Sequence, residues 1–322
     1  MQLVFVFPGQ GSQSVGMLAD LHRRHAEVRD CFIEASEQLG FDLWELVDQG
    51  PAERLNETEH TQPALLCASV AVWRTWLSLG GRRPDVVAGH SLGEFSALVA
   101  AGALAFGDAI QLVRDRGRFM QEAVPVGQGA MAAIMGLEDS LIDQVCALGV
   151  VGGGAGSVCE AVNFNSPGQV VIAGTAAAVS AAAESARQHG AKRAVMLPVS
   201  APFHSSLMHG AAERFATPMG KLPIAVPSLR FVSSVDSNAY SDPEAIRALL
   251  VRQLASPVHW TKTVRMLSLE QPTMFVECGP GKVLTGLNRR AEKRTDCAYL
   301  AIEDGPSVEA ALGAAAASCV GR

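Results

Sequence analysis

Short apolar runs alternate with longer stretches of helical period along most of the chain, the pattern of an α/β protein. The uninterrupted apolar run Leu3–Phe7 predicts a buried strand that leads into the glycine-rich turn Pro8-Gly9-Gln10-Gly11-Ser12. Leu65, Leu66, Ala68, Val72 and Trp76 fall on one helical face and predict a helix over Pro63–Leu79, ended by Gly80-Gly81. A short strand over Asp85–Ala88 follows, then a small-residue helix over Leu92–Ala103 and another over Gly107–Ala123.

The stretch from Gly127 to Pro198 has a different rhythm. Its predicted order is strand Met131–Met135, helix Ser140–Leu148, strand Val158–Phe164, a turn at Pro167-Gly168, strand Val170–Ala173, helix Ala176–Gly190 and strand Ala194–Pro198. That β-α-β-β-α-β order is the ferredoxin-like pattern. The run Gly152-Gly153-Gly154-Ala155-Gly156 reads as a flexible connector within it. The larger pattern then resumes with strands Leu229–Ser233 and Thr273–Cys278 and helices Pro243–Leu254 and Val283–Glu292. The alanine-rich tail from Val308 is either a last helix or a frayed end. The expected organisation is a large α/β domain over 1–126 and 199–322, interrupted by a small ferredoxin-like domain over 127–198, with substrate in a cleft between them.

Composition narrows the function classes. Of 322 residues, 48% are hydrophobic and 18% charged, enough for a sizeable core, and the net charge of −6 argues against a nucleic-acid binder. The apolar start Met1–Pro8 is too short and lacks the basic flank of a signal peptide, and no apolar run is long enough to span a membrane. Cys31, Cys67, Cys146, Cys159, Cys278, Cys297 and Cys319 are odd in number, widely spread and without a Cys-x-x-Cys pair. They predict reduced thiols in a cytoplasmic protein. No metal is expected, because His204 and His209 lack the glutamate and spacing of a zinc-protease helix. No cofactor is expected either. Gly279-Pro280-Gly281-Lys282 lacks phosphate-loop spacing, and Gly9-Gln10-Gly11 lacks the third glycine of a dinucleotide fingerprint.

One segment carries chemistry on its own. Val86–Ala88, Gly89-His90-Ser91-Leu92-Gly93 and the helix behind them have the strand, sharp turn and helix of a nucleophile elbow. Ser91 then sits where helix amide groups favour a developing anion. A serine nucleophile needs a base. His204, in the loop after the strand Ala194–Pro198, is the best-placed histidine, with His90 its competitor. On the helix Gly107–Ala123, Arg114 and Arg118 share a polar face with Gln111, Asp115 and Glu122, whereas Arg116 falls with Leu112, Val113, Phe119 and Met120. A buried arginine needs a partner, either a protein carboxylate or an anionic substrate group, and Gly117 beside it leaves room.

The segments Phe7–Gln13, Thr61-Gln62-Pro63-Ala64, Gly89–Glu94, Arg116-Gly117 with Met120-Gln121, and Asn163–Gln169 follow one another in an order that resembles the malonyl-CoA:acyl carrier protein transacylases of the stand-alone bacterial type. Pro198-Val199-Ser200 with His204, Arg252-Gln253-Leu254 and Gly279–Gly286 continue the match nearly to the end. The resemblance implies an α/β-hydrolase-like large domain with the inserted ferredoxin-like one. It implies Ser91 as acyl carrier, His204 as base oriented by the backbone carbonyl of Gln253, and the amides of Gln10 and Leu92 as the oxyanion hole. By the same resemblance Arg116 holds the malonyl carboxylate, with Gln62, Asn163 and Phe203 lining the pocket. Leu92 and Phe203 match a malonyl rather than a methylmalonyl preference, although a small residue is common at the Phe203 position in stand-alone enzymes. The implied partners are malonyl-CoA and acyl carrier protein, in fatty-acid synthesis. The rivals are an esterase or thioesterase with water as acceptor, service to a polyketide or malonate decarboxylase system, and a silent subunit that only docks a carrier protein.

Overall fold

The strand formed by Gln2–Phe7 is buried along its whole length, as a continuous apolar run requires when both faces of a parallel sheet are covered. The computed structural model describes residues 1–199, 201–269 and 271–318; Ser200 of the predicted histidine loop and Cys319 lie outside the described residues. Its strands in chain order are β1 (Gln2–Phe7), β2 (Val86–Gly89), β3 (Gly129–Met135), β4 (Cys159–Ser166), β5 (Gln169–Thr175), β6 (Arg193–Met196), β7 (Arg230–Val232), β8 (Ala239–Tyr240), β9 (Thr273–Cys278) and β10 (Ala298–Ile302). Two compact units result: Met1–Gly117 with Leu222–Ile246 and Thr263–Arg322, and Arg118–Lys221 with Arg247–Lys262. Among the described residues no helix is long and apolar enough to cross a membrane.

The first unit holds a sheet of order β10-β9-β1-β2-β7-β8, parallel except for the short β8. Phe7 pairs with Gly89, so the turn after β1 and the turn after β2 leave the same sheet edge side by side. The His90 N–H donates to the Phe7 carbonyl at 3.0 Å and ties the two turns together. This is the carboxyl edge of the strands, where open α/β sheets place their ligands. Behind it, Phe5 packs edge-on against Trp73 and Trp76 at centroid distances of 5.5 and 5.2 Å.

The helix expected to begin at Pro63 begins at Thr58 and carries Pro63 inside it, running to Ser78. An interior proline costs about 3 kcal/mol of helix stability. Local bonds hold the extra turn: the Glu57 carbonyl accepts from the N–H groups of His60 and Thr61, and Thr61 Oγ1 donates to the Leu55 carbonyl at 2.6 Å. The tail is a helix, Gly305–Ala317, closed by a capping box between Asp304 and Ser307. Strands β8 and β10 and the helices His209–Lys221 and Trp260–Ser268 add to the predicted set.

The second unit holds an antiparallel sheet of order β4-β5-β3-β6, the strand order of a ferredoxin-like fold. Ala132, Ile134, Val170 and Ile172 from the sheet meet Ile142, Val145, Val179 and Ala182 from two helices in one buried cluster. The connector reading of Gly152–Gly156 is corrected in part. Helix Ile142–Gly153 continues through Gly152 and Gly153, against helix Ala176–Gln188. A Cβ on Gly149 would lie 2.5 Å from the Ala182 Cβ, and one on Gly153 2.9 Å from that of Ala178, so these glycines permit close helix packing. Only Gly154 and Gly156, at φ 88° and 76°, make a turn.

The tightest packing lies at the edge of the first sheet. A Cβ on Gly93 would lie 2.0 Å from the Phe7 carbonyl oxygen, and one on Gly89 1.9 Å from the Gly93 carbonyl carbon. Gly93→Ala should therefore lower unfolding free energy in urea by at least about 3 kcal/mol, because backbone on both sides has no rotamer with which to yield. An unchanged urea midpoint would show that the elbow relaxes freely.

Candidate active site

Ser91 occupies the turn between β2 and helix Gly93–Ala100 with φ at 51°, a left-handed conformation that costs a non-glycine residue on the order of 1–2 kcal/mol. Gly89 and Gly93 make the turn possible because any side chain on either would strike backbone. The Ser91 carbonyl already accepts from the Glu94 N–H at 3.0 Å, so the serine leads directly into the helix and Leu92 is the first residue behind it. The turn after β1 is pressed against the same elbow. A Cβ on Gly9 would come within 2.5 Å of the His90 carbonyl oxygen, so the two turns touch through backbone.

Arg116 reaches this elbow from helix Phe106–Glu122. The helix passes so close to the start of Thr58–Ser78 that a Cβ on Gly117 would lie 2.5 Å from the Thr58 carbonyl oxygen. That approach sets Arg116 beside Gln62. Its Nη1 donates to Gln62 Oε1 at 2.9 Å and its Nη2 donates to Ser91 Oγ at 3.1 Å. The guanidinium carbon stands 5.4 Å from the ring centroid of Phe95, on the elbow helix. Arg116 is 1% exposed. Burial pushes its pKa down from the usual arginine value to about 10, against the opposing pull of the Glu94 carboxylate. At neutral pH it remains a cation, and Arg114 and Arg118, as the helical pattern predicts, are not buried with it.

The second unit carries the other predicted residues. His204 has φ 67° in a tight loop where Ser205 Oγ donates to the Pro202 carbonyl at 2.7 Å. His204 Nδ1 lies 2.9 Å from the backbone carbonyl of Gln253. A carbonyl only accepts, so Nδ1 carries a proton, and in the neutral ring the lone pair that a base uses is then on Nε2. Gln253 itself is buried in the short 3₁₀ turn Gln253–Ala255. The segment after it is pinned to β4: Phe164 N–H donates to the Val258 carbonyl at 2.9 Å, and Val258 N–H to that of Val162 at 2.8 Å. Asn163 sits between these bonds at a register shift of β4, with its Oδ1 buried and accepting no hydrogen bond. Phe203, next to His204, is buried.

The acyl transferase domain model matches residues 4–314. The chain is 53% identical over 289 residues to the malonyl CoA-acyl carrier protein transacylase of Salmonella typhimurium, covering 90% of this chain and 92% of the relative. The chain belongs to the malonyl CoA-acyl carrier protein transacylase family. Its fold agrees with that of the family member from Coxiella burnetii at a TM-score of 0.93 and 43% identity, over 97% of each chain. It agrees equally, at 0.93 and 48% identity over 98% of this chain and all of the other, with a malonyl-transacylase solved in complex with a type II polyketide acyl carrier protein.

Within this transacylase fold, Ser91, Arg116 and Gln62 are joined by hydrogen bonds beside Leu92, Gln10 lies in the turn after β1 of the same unit, and His204, Gln253, Phe203 and Asn163 belong to the second unit. Sequence reasoning passed over Glu94. It is 0% exposed, and its Oε1 accepts from Ser233 Oγ at 2.9 Å, from the Ser234 N–H at 2.6 Å and from Ser234 Oγ at 2.9 Å. The available signal was an acidic residue in the first turn of an otherwise apolar, small-residue helix.

A small dicarboxylate such as malonate, if held by Arg116, should bind with constant affinity through neutral pH and be released as pH rises through about 10, where the guanidinium loses its charge. Calorimetric titration across that range checks it. Undiminished affinity well above that point would mean that the anion is held elsewhere.

Proposed function

We propose that the protein transfers the malonyl group of malonyl-CoA to the phosphopantetheine thiol of acyl carrier protein through an ester on Ser91. The observation that carries this reading is the hydrogen bond from buried Arg116 to Ser91 Oγ, which places a buried cation in direct contact with an elbow serine. A lipase or simple esterase has no use for such a cation beside its nucleophile, whereas a malonyl group bears a carboxylate that a guanidinium fork fits.

In the proposed mechanism the malonyl carboxylate docks on Arg116, whose Gln62 bond fixes the plane of the fork. His204 Nε2 takes the Ser91 proton as Oγ attacks the thioester carbon. The resulting oxyanion is met by the amides of Gln10 and Leu92. The carbon–sulfur bond then breaks and coenzyme A leaves with the proton from His204. Acyl carrier protein enters, its thiol gives a proton to His204 and attacks the ester, and Ser91 leaves with that proton. The Gln253 carbonyl holds the imidazole tautomer that both halves require, a role a side-chain substitution there leaves intact. Leu92 and the buried Phe203 support malonyl over the branched methylmalonyl group, and Asn163 offers a buried acceptor to the pocket.

Fatty-acid synthesis is the proposed destination of the malonyl group. The complex of a relative with a polyketide carrier protein makes polyketide synthesis the second reading. The six described cysteines are all free thiols, which supports a reducing, cytoplasmic setting.

Mixing the enzyme with malonyl-CoA should give a malonyl adduct on Ser91 by peptide mass spectrometry, none in Ser91→Ala, and transfer to added carrier protein faster than to water. An adduct on another residue, or equal loss to water with and without carrier protein, would contradict the proposal.

A further inference from the structure

Strand β4 ends the small sheet, paired with β5 on one side. Its other side takes the segment that follows Gln253, through the backbone bonds of Val258 to Val162 and Phe164. A register shift between Ala161 and Asn163 leaves Val162 out of the ladder with β5, which is how a bulge re-aims a strand residue toward a new partner. Two positions earlier, Glu160 reaches from the same strand to the histidine loop. Its Oε2 accepts from the Ser206 N–H at 2.7 Å and its Oε1 accepts from Ser206 Oγ at 2.6 Å. Ser206 follows His204 by two residues and opens the 3₁₀ turn Ser206–Met208. The proposed mechanism gives Glu160 no task.

The loop needs a hold of this kind. His204 at φ 67° is in a conformation that costs about 1–2 kcal/mol and persists only where the surroundings impose it. Within the loop, the Pro202 carbonyl accepts from the Ser205 N–H at 3.3 Å and from its Oγ at 2.7 Å, and the Met208 N–H donates to the Ser205 carbonyl at 3.0 Å. These bonds shape the loop without setting where it sits relative to Gln253. Glu160 can set it, because two bonds to one residue restrain direction as well as distance.

We propose that Glu160 is a positioning residue for the base: by tying Ser206 to β4 it keeps His204 Nδ1 on the Gln253 carbonyl, so that the ring presents Nε2 to the proton it must move. The inference rests on the reading of His204 as the base. The strand rises about 3.3 Å per residue, so Glu160 and Val162 stand about 7 Å apart on one element. The histidine loop hangs from the first and the Gln253 segment from the second, and the strand fixes their spacing. Without the tie, the loop can relax out of the left-handed conformation and the ring can turn off the carbonyl.

Single-turnover formation of the malonyl ester, with nitrogen NMR of the imidazole, tests this. His204→Ala should abolish the reaction. If it reacts normally, the base reading fails and this inference falls with it. With the base established, Glu160→Ala should slow ester formation by about ten- to a hundredfold, the cost of moving a catalytic group by up to an ångström. The malonyl-CoA concentration that gives half the maximal rate should not change. The His204 nitrogen signals, assigned by their absence in His204→Ala, should lose the shifts of a ring protonated at Nδ1 and move to averaged values. Glu160→Gln, which still accepts from the Ser206 N–H and donates to its hydroxyl, should keep most of the wild-type rate and its shifts. Ser206→Ala, which removes only the hydroxyl bond, should fall between. A wild-type rate in Glu160→Ala, a slowed rate with unchanged His204 shifts, or a Glu160→Gln as slow as Glu160→Ala would each overturn the positioning role while leaving His204 as the base. Should Glu160→Ala fail to fold, Ser206→Ala decides, and a wild-type rate with wild-type shifts in it overturns the proposal.

Discussion

The burial of the Arg116 guanidinium is the constraint on which the rest of the site depends. Taking a cation out of water costs several kcal/mol even after relaxation, so the surrounding structure must return that energy in directed contacts. Gln62 and Ser91 accept from its two terminal nitrogens, Phe95 offers a ring face, and Glu94 supplies an opposite charge. Gln62 comes from one helix and Ser91, Glu94 and Phe95 from the elbow, and Gly117 is what lets Arg116 reach both, since no other residue could pass the Thr58 carbonyl so closely.

The elbow is a constraint of the same kind on a smaller scale. Ser91 is held in a left-handed conformation because β1 and β2 end in register, Phe7 against Gly89, and because Gly93 then packs on the Phe7 carbonyl. Strain at the serine is thus stored in the sheet edge and not in the serine's own contacts. In the second unit His204 has a left-handed backbone and a bond from its ring to a main-chain carbonyl, which orients the imidazole. The proposed chemistry uses both features.

Much of this was legible in the sequence. Gly89 and Gly93 about Ser91 announce the elbow, since the glycines answer a steric need that any sequence reader can state. Arg116 was legible because a single charge on an apolar helix face is improbable without a task. The strand order of the small sheet followed from the alternation of its elements. Other features were hidden for physical reasons. The Gln253 carbonyl was named by the family resemblance alone, because it acts through the main chain, which every residue possesses. The Glu94 cradle joins residues about 140 positions apart by backbone and hydroxyl donors that have no sequence pattern. Gly152 and Gly153 look like a linker because helix–helix packing against Ala178 and Ala181 leaves the same glycine signature as flexibility. The extra turn before Pro63 was hidden because local bonds to Leu55 and Glu57 offset the proline penalty.

The central claim is that one buried arginine reads the substrate while its neighbouring serine carries it. The most direct measurement is a crystal structure of the malonyl-enzyme, trapped by withholding carrier protein. The account predicts an ester at Ser91 Oγ with the free carboxylate bidentate on Arg116 Nη1 and Nη2, at about 2.8 Å each. A carboxylate turned away from the guanidinium, with Arg116 still bonded only to Gln62, would contradict it.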